Sequence, residues 1–379
     1  NKDNKNDLLI GNAGGEFYGK SKALSDVVFK QFNDSLVKLK LPDNFLHTSV
    51  IIADDKDCPN LYGFGHAVSN DFGKKPDAYA FKNNCSQFKN IENEVLKDFG
   101  MVTDAIWFDI NNDGQKEIIT VGEWMPPRVL EVNNDDIKDV SDKILPDNLN
   151  GLWQSIATFD LDNDGQQEII LGNFGTNTKF KATIENPLRL YFYDFDDNGQ
   201  TESIVCVSKN DNYYPINSFD ELAEQMPYLK KKFNAYKDFA GKSISEIFDS
   251  NQLEKAEILD VHTTASGYLK YENEKWKFHT LNDYFQVSPI TALQNIDLNG
   301  KGQDELLFGG NYFGVKPYHG RFGSFAGGAL TSNAKVLKAE EIGVNFYNKA
   351  VVGFEILNFQ NEIYLMVIYN NQAVEFYKL

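Results

Sequence analysis

A nine-residue pattern recurs along this chain, and it limits the possible folds more than any other feature. In the first clear copy Asp109, Asn111, Asp113, Gly114, Gln115 and Glu117 hold positions one, three, five, six, seven and nine. Asp160, Asp162, Asp164, Gly165, Gln166 and Glu168 repeat it, as do Asp194, Asp196, Asn198, Gly199, Gln200 and Glu202. Each copy runs into apolar residues such as Ile118-Ile119, Ile169-Ile170-Leu171 or Ile204-Val205, so each loop opens into a strand. A fourth copy keeps Asp297, Asn299, Gly302 and Glu305 but carries Lys301 at position five. In a fifth, Asn1, Asp3 and Asp7 take positions three, five and nine. Its position one falls before Asn1, so the chain reads as part of a longer protein.

Position nine falls at residues 7, 117, 168, 202 and 305. Two further units have decayed: 51–65 keeps acids without the spacing, and 351–369 keeps strand-like runs without acids. About seven units of about 50 residues fit the length, which is the period of a β-propeller. The expected fold is therefore all-β: one domain over 1–379, about seven-bladed, with a small α-helical insertion. The insertion is expected at about 218–253. There Ser218/Glu221 and Ser243/Glu246 form capping boxes, and Leu222, Met226, Leu229, Phe233 and Tyr236 follow at helical spacing. That stripe is expected to pack on the propeller.

The loop chemistry points to calcium. Ca²⁺ takes six to eight hard oxygens, and carboxylates at alternate positions of a tight loop converge on one point. Glycine at position six permits the turn, and position seven (Gln115, Gln166, Gln200) offers its backbone carbonyl. An EF-hand needs a bidentate Glu at position twelve between helices. Thr120, Leu171 and Val205 stand there instead, before strands. About three Ca²⁺ sites are expected. The 160–168 loop has four carboxylates, and the other two have three each plus an amide. In the fourth copy the Lys301 ammonium is expected to replace the ion.

Composition narrows the partners. Lys plus Arg is 37 and Asp plus Glu is 55, a net charge of −18, which excludes a basic footprint for nucleic acid. Hydrophobic residues at 42% are enough for a sizeable core. Cys58, Cys85 and Cys206 are too few for a disulfide framework and leave one bridge plus a free thiol open. No apolar run is long enough for a transmembrane helix. None of the five histidines forms a metal pair, and no nucleophile elbow or P-loop is present. Trp107 and Trp153 read as core residues. Trp124, before Pro126-Pro127, reads as the exposed one, and 312–325 as a packed Gly-aromatic connection or a binding loop.

The acidic loops alternate with Gly-Asn-Phe-Gly at 172–175 and Phe-Gly-Gly-Asn-Tyr-Phe-Gly at 308–314. This resembles the FG-GAP/VCBS repeats of integrin α-subunit propellers. It is more similar still to the large FG-GAP proteins of Bacteroidetes, relatives of the cartilage acidic protein family. Their blocks correspond to Gly-Met-Val-Thr-Asp-Ala at 100–105, Gly-Glu-Trp-Met-Pro at 122–126, Gly-Leu-Trp-Gln-Ser at 151–155, residues 225–233 and Ser288-Pro289. The family's Gly-Arg-Tyr-Asp block reads Gly320-Arg321-Phe322-Gly323 here. The resemblance implies a surface or outer-membrane location, with an anchor in a part outside this chain, and no catalytic residues. The expected function is non-enzymatic: interaction with or assembly of envelope proteins, possible as a subunit of an outer-membrane complex. Glycan binding is the alternative, and a carboxylate-dependent hydrolase ranks third.

Overall fold

The computed structural model describes residues 7–13, 24–32, 35–42, 47–316, 320–360 and 362–379. Among them the chain is mostly β, in seven small antiparallel sheets. The first sheet holds β1 (Leu8–Ile10), β2 (Val27–Phe32) and β3 (Ser35–Leu39). The second holds β4 (His47–Ala53), β5 (Leu61–Ala67), β6 (Ala78–Asn83) and β7 (Phe88–Asn90). The third holds β8 (Met101–Phe108), β9 (Glu117–Met125), β10 (Arg128–Asn133) and β11 (Asp136–Asp139), with α1 (Ser141–Ile144) after it and β12 (Gly151–Leu152) returning to β9.

The fourth sheet is interrupted. It starts with β13 (Ser155–Phe159) and β14 (Glu168–Gly172). The chain then builds a separate sheet from β15 (Leu188–Tyr193), β16 (Glu202–Lys209), β17 (Asn212–Pro215) and β18 (Glu257–Val261). Only afterwards do β19 (Gly267–Glu272) and β20 (Lys275–Thr280) complete the fourth sheet, with β19 beside β14. The third acidic loop therefore belongs to a nested sheet, not to the next sheet in a simple series. The sixth sheet holds β21 (Ile290–Ile296), β22 (Glu305–Gly310), β23 (Gly328–Leu330) and β24 (Val336–Lys338), and α7 (Ala339–Ile342) follows. The last holds β25 (Val351–Phe359), β26 (Glu362–Tyr369) and β27 (Glu375–Lys378).

The expected helical insertion is present as five short helices between β17 and β18. They are α2 (Phe219–Gln225), α3 (Leu229–Lys232), α4 (Tyr236–Phe239), α5 (Ile244–Ile247) and α6 (Ser250–Lys255). Ser218 and Ser243 cap α2 and α5 through Glu221 and Glu246. Leu222, Met226, Leu229 and Phe233 are buried against Tyr191, Phe195, Ile204 and Cys206 of the nested sheet, so the helices cover that sheet's own face. Tyr236, read as part of the same stripe, is 65% exposed, because a new helix starts there and breaks the register.

Successive sheets are joined by a repeated side-chain latch. The Ser49 hydroxyl donates to the Val102 carbonyl at 2.7 Å, and Thr103 to Trp153 at 2.9 Å. Ser155 donates to Ile290 at 2.9 Å, and Thr291 to Val351. Each latch leaves the first strand of one sheet (β4, β8, β13, β21) and reaches the start of the next. The Ser155 latch passes from the fourth sheet straight to the sixth, bypassing the nested one. Gly172 leaves room for this approach, since a Cβ there would lie 2.4 Å from the Ile290 carbonyl. Bulges displace the pairing at Thr48/Val50, Val102/Asp104, Ile290/Ala292 and Val351/Gly353. At Ser49, Thr103 and Thr291 the bulge re-aims the latch side chain, whereas Ser155 makes its latch from regular pairing. In the last sheet that position is Val352, which has no hydroxyl and is 52% exposed.

Two sequence expectations change here. Trp124 is buried, with Met101, Leu152 and Leu188, because its backbone takes φ +59° before Pro126 and turns the indole inward. Cys58 and Cys85 form the one disulfide, and Cys206 is free and buried. The bridge ties the β4–β5 connection to the β6–β7 turn, where the 51–65 unit has lost its acidic spacing. Among the described residues no helix is long and apolar enough to cross a membrane.

Candidate metal centres

The complete acidic loops join β8 to β9, β13 to β14 and β15 to β16, and the Lys301-containing copy joins β21 to β22. All four are held by the same backbone frame. Both oxygens of the position-one aspartate accept N–H groups from positions five and six. Asp160 takes Asp164 and Gly165 at 3.1 and 3.0 Å, and Asp194 takes Asn198 and Gly199 at 3.0 and 2.8 Å. Asp109 and Asp297 do the same. Position six has φ of +87, +88, +86 and +77° at Gly114, Gly165, Gly199 and Gly302, where a side chain is strained. Position four is also left-handed, at Asn112, Asn163, Asp197 and Gly300.

Position nine closes each loop from the buried side. One oxygen of Glu117, Glu168, Glu202 and Glu305 accepts the N–H of Ile110, Leu161, Phe195 and Leu298, respectively. The other oxygen is left for the loop interior, where the remaining acids converge. Oxygens of Asp160, Asp162 and Asp164 lie within 4.8 Å of one another, as do those of Asp194, Asp196 and Glu202. In the first loop the Asn111 amide stands between, donating to Asp113 and Glu117 at 3.2 and 3.4 Å. Gln115, Gln166 and Gln200 donate their backbone N–H groups to the position-five side chain, which leaves their backbone carbonyls available as ligands.

The electrostatics of the loops would favour a dication. Burial, with the charges of Asp113, Asp109 and Glu131, pushes the Glu117 carboxyl up to about 7. Burial, with Asp196 and Asp194, pushes Glu202 up to about 7. Asp196 Oδ1 is buried with no hydrogen-bond partner, an orphaned acceptor facing its loop's other acids. Hard oxygens at these spacings suit Ca²⁺ better than a softer or smaller metal. With a calcium ion bound, Asp109, Asn111, Asp113 and Glu117 would hold it in the first loop. Asp160, Asp162, Asp164 and Glu168 would do so in the second, and Asp194, Asp196, Asn198 and Glu202 in the third.

The Lys301 expectation is not met. Lys301 is exposed, and its backbone N–H, rather than its ammonium, bonds Asp297 and Asn299. The centre of that loop is filled by the Asn299 amide, which donates to Glu305. A lysine does enter a loop, but elsewhere: Lys270 of β19 reaches Asp162 directly, Glu168 at 3.5 Å and Asp164 at 3.9 Å. Nothing in the nine-residue template signals it, because it arrives through strand pairing about a hundred residues away. Asp7 is described and accepts the Gln31 N–H at 2.9 Å. Asn1 and Asp3 lie outside the described residues.

These loops decide the comparison with known families. Residues 109–171 match the FG-GAP-like repeat. The match spans the first two acidic loops together with β9 to β14, so it covers the loop–strand unit itself. No curated protein matches the chain. The matched stretch holds two of the acidic loops, and the nested sheet and the 297–305 loop lie beyond it.

Proposed function

We propose that the chain is a calcium-stabilised β-propeller that serves as an interaction or assembly module at the bacterial cell envelope, without catalysis of its own. The FG-GAP-like repeat supports the propeller reading. So does the succession of latched sheets, and we place the six non-nested sheets in one propeller-like series, left open between the first sheet and the last, with the nested sheet set upon it. Kinship with the large FG-GAP proteins of Bacteroidetes and the cartilage acidic protein family belongs to the same proposal. It rests on the blocks at 100–105, 122–126 and 151–155. The Cys58–Cys85 bridge supports a location outside the cytoplasm, where disulfides persist.

The observation that carries the interaction reading is the outer face of the last sheet. Leu357, Phe359 and Phe376 share the side facing away from the sixth sheet and are 37, 62 and 56% exposed. The first sheet mirrors this with Leu8 and Leu36, at 44 and 52%. Large apolar side chains exposed together on one sheet face mark interaction surfaces. The proposed occupant is an envelope protein partner. The test is co-purification from native membranes with wild type and with the Phe359→Asp/Phe376→Asp double variant. Partners at a fixed ratio, lost in the double variant while calcium uptake is unchanged, are expected. Equal recovery by both proteins, or a wild type that purifies alone, contradicts the proposal.

One cleft favours glycan binding as the second reading. A cavity of about 690 Å³ is lined by His47, His66, Asn70, Asp71, Phe72 and Gln225, between the β5–β6 connection and the nested module. Phe72 is 40% exposed and offers a stacking face among polar groups. Retardation of the wild type, but not of Phe72→Ala, in polysaccharide-containing gels would support this reading over the first.

A further inference from the structure

The three complete loops differ in what stands opposite their position-nine glutamate on the third strand of the sheet. In the fourth sheet Ile169 pairs with Leu269, so the next pair outward sets Glu168 against Lys270. In the third sheet Ile118 pairs with Leu130, which sets Glu117 against Glu131. In the nested sheet β17 pairs with β16 only up to Cys206, so no strand residue faces Glu202. The same site is therefore flanked by a cation, by an anion and, in the nested sheet, by no strand residue, with the neutral Tyr228 of the helical insertion near Glu202 and Asp196 instead.

The flanking lysine is engaged. Its side chain is 22% exposed, and its ammonium touches Asp162 and lies 3.5 Å from Glu168 and 3.9 Å from Asp164. The ammonium donates to Asp162 and lies within ion-pair distance of two further carboxylates a metal would use. Four carboxylates this close repel one another, and Lys270 offsets part of that repulsion without any metal. A calcium ion entering the 160–168 loop must send Lys270 back to solvent and forfeit those three contacts. An ion entering the 109–117 loop meets a further carboxylate, Glu131, instead of a competitor.

We infer that Lys270 is a built-in counter-cation that competes with calcium, making the 160–168 loop the weakest of the three sites although it has the most carboxylates. This rests on the calcium reading of the loops and reverses the order that their acid count gives. The loop then serves as the low-affinity member of the set, filled only at high calcium, while 109–117 and 194–202 hold their ions more tightly.

Calorimetric calcium titration of the full chain, stripped with a chelator, tests the inference. Wild type is expected to show two tight sites and a third at least about tenfold weaker. Lys270→Met should bring the third to within about threefold of the others, and Lys270→Arg should leave it weak. Asp162→Asn in each background identifies the loop by removing that third site alone. Three indistinguishable wild-type sites, or a third site that stays weak in Lys270→Met, overturn the inference while leaving the calcium reading intact. A chain that takes up no calcium in any variant overturns both.

Discussion

At the scale of single residues, the acidic loops depend on a few backbone positions that only certain residues tolerate. Gly165 at φ +88° is one. Gly165→Ala is expected to cost about 1–2 kcal/mol through left-handed strain, even though open space surrounds it. A shift of the urea midpoint with unchanged slope would confirm this, and an unchanged midpoint would refute it. Asp104 makes a different case. It accepts the N–H groups of Ala105 and Ile156 across the third and fourth sheets, and burial pushes its carboxyl up to about 6 despite those bonds. Its folded value lies above the ordinary 3.8, so the folded state holds the proton more tightly than the unfolded chain. The cost is absent below about pH 4 and grows until about pH 6. Asp104→Asn should therefore gain about 1–2 kcal/mol relative to wild type between pH 4 and pH 7. Urea midpoints at the two pH values measure it, and a difference independent of pH would show that Asp104 does not titrate in this window.

At the scale of elements, the acidic loops were legible because all their information is local: ligands, turn residues and the following strand fit within about fourteen residues. The helices at 219–255 were legible for the same reason, through the capping boxes at Ser218 and Ser243. Lys270 was not, because pairing of β14 with β19 spans the whole nested sheet. Trp124 was misread because the prolines do end β9, but a positive φ one step earlier reverses where the indole points. Where the acidic template has decayed, a covalent tie stands instead. The Cys58–Cys85 bridge spans 27 residues, which in the chain-entropy model contributes about 3–4 kcal/mol. The Cys58→Ser/Cys85→Ser variant should lose about that much in chemical denaturation, and a loss below about 1 kcal/mol would show that the second sheet does not depend on it. The latches can be tested one at a time. Thr103→Val removes the donor to the Trp153 carbonyl and should cost about 1–3 kcal/mol, read from the urea midpoint.

At the scale of the whole molecule, the sequence period correctly implied many small sheets, and the nested sheet is what it concealed. The 194–202 loop follows the 160–168 loop at a spacing that reads as the next unit in series, and only the return of β19 to β14 reveals the interruption. The series of latches from Ser49 to Val351 joins the second, third, fourth, sixth and last sheets and stops at the exposed Val352. The last sheet of that series and the first sheet of the chain carry the apolar faces assigned above to a partner. Under the proposal, calcium held by the 109–117, 160–168 and 194–202 loops acts on stability, and none of the residues of those faces is among its ligands. The measurement that tests this most directly is thermal unfolding of the full chain in chelator and in excess calcium. At a calcium concentration about a hundredfold above its dissociation constant, each tight site should add about 2.7 kcal/mol to the folded state. The melting temperature should rise with calcium, and the rise should shrink in Asp109→Asn and Asp194→Asn variants. Identical melting curves with chelator and with calcium would contradict it.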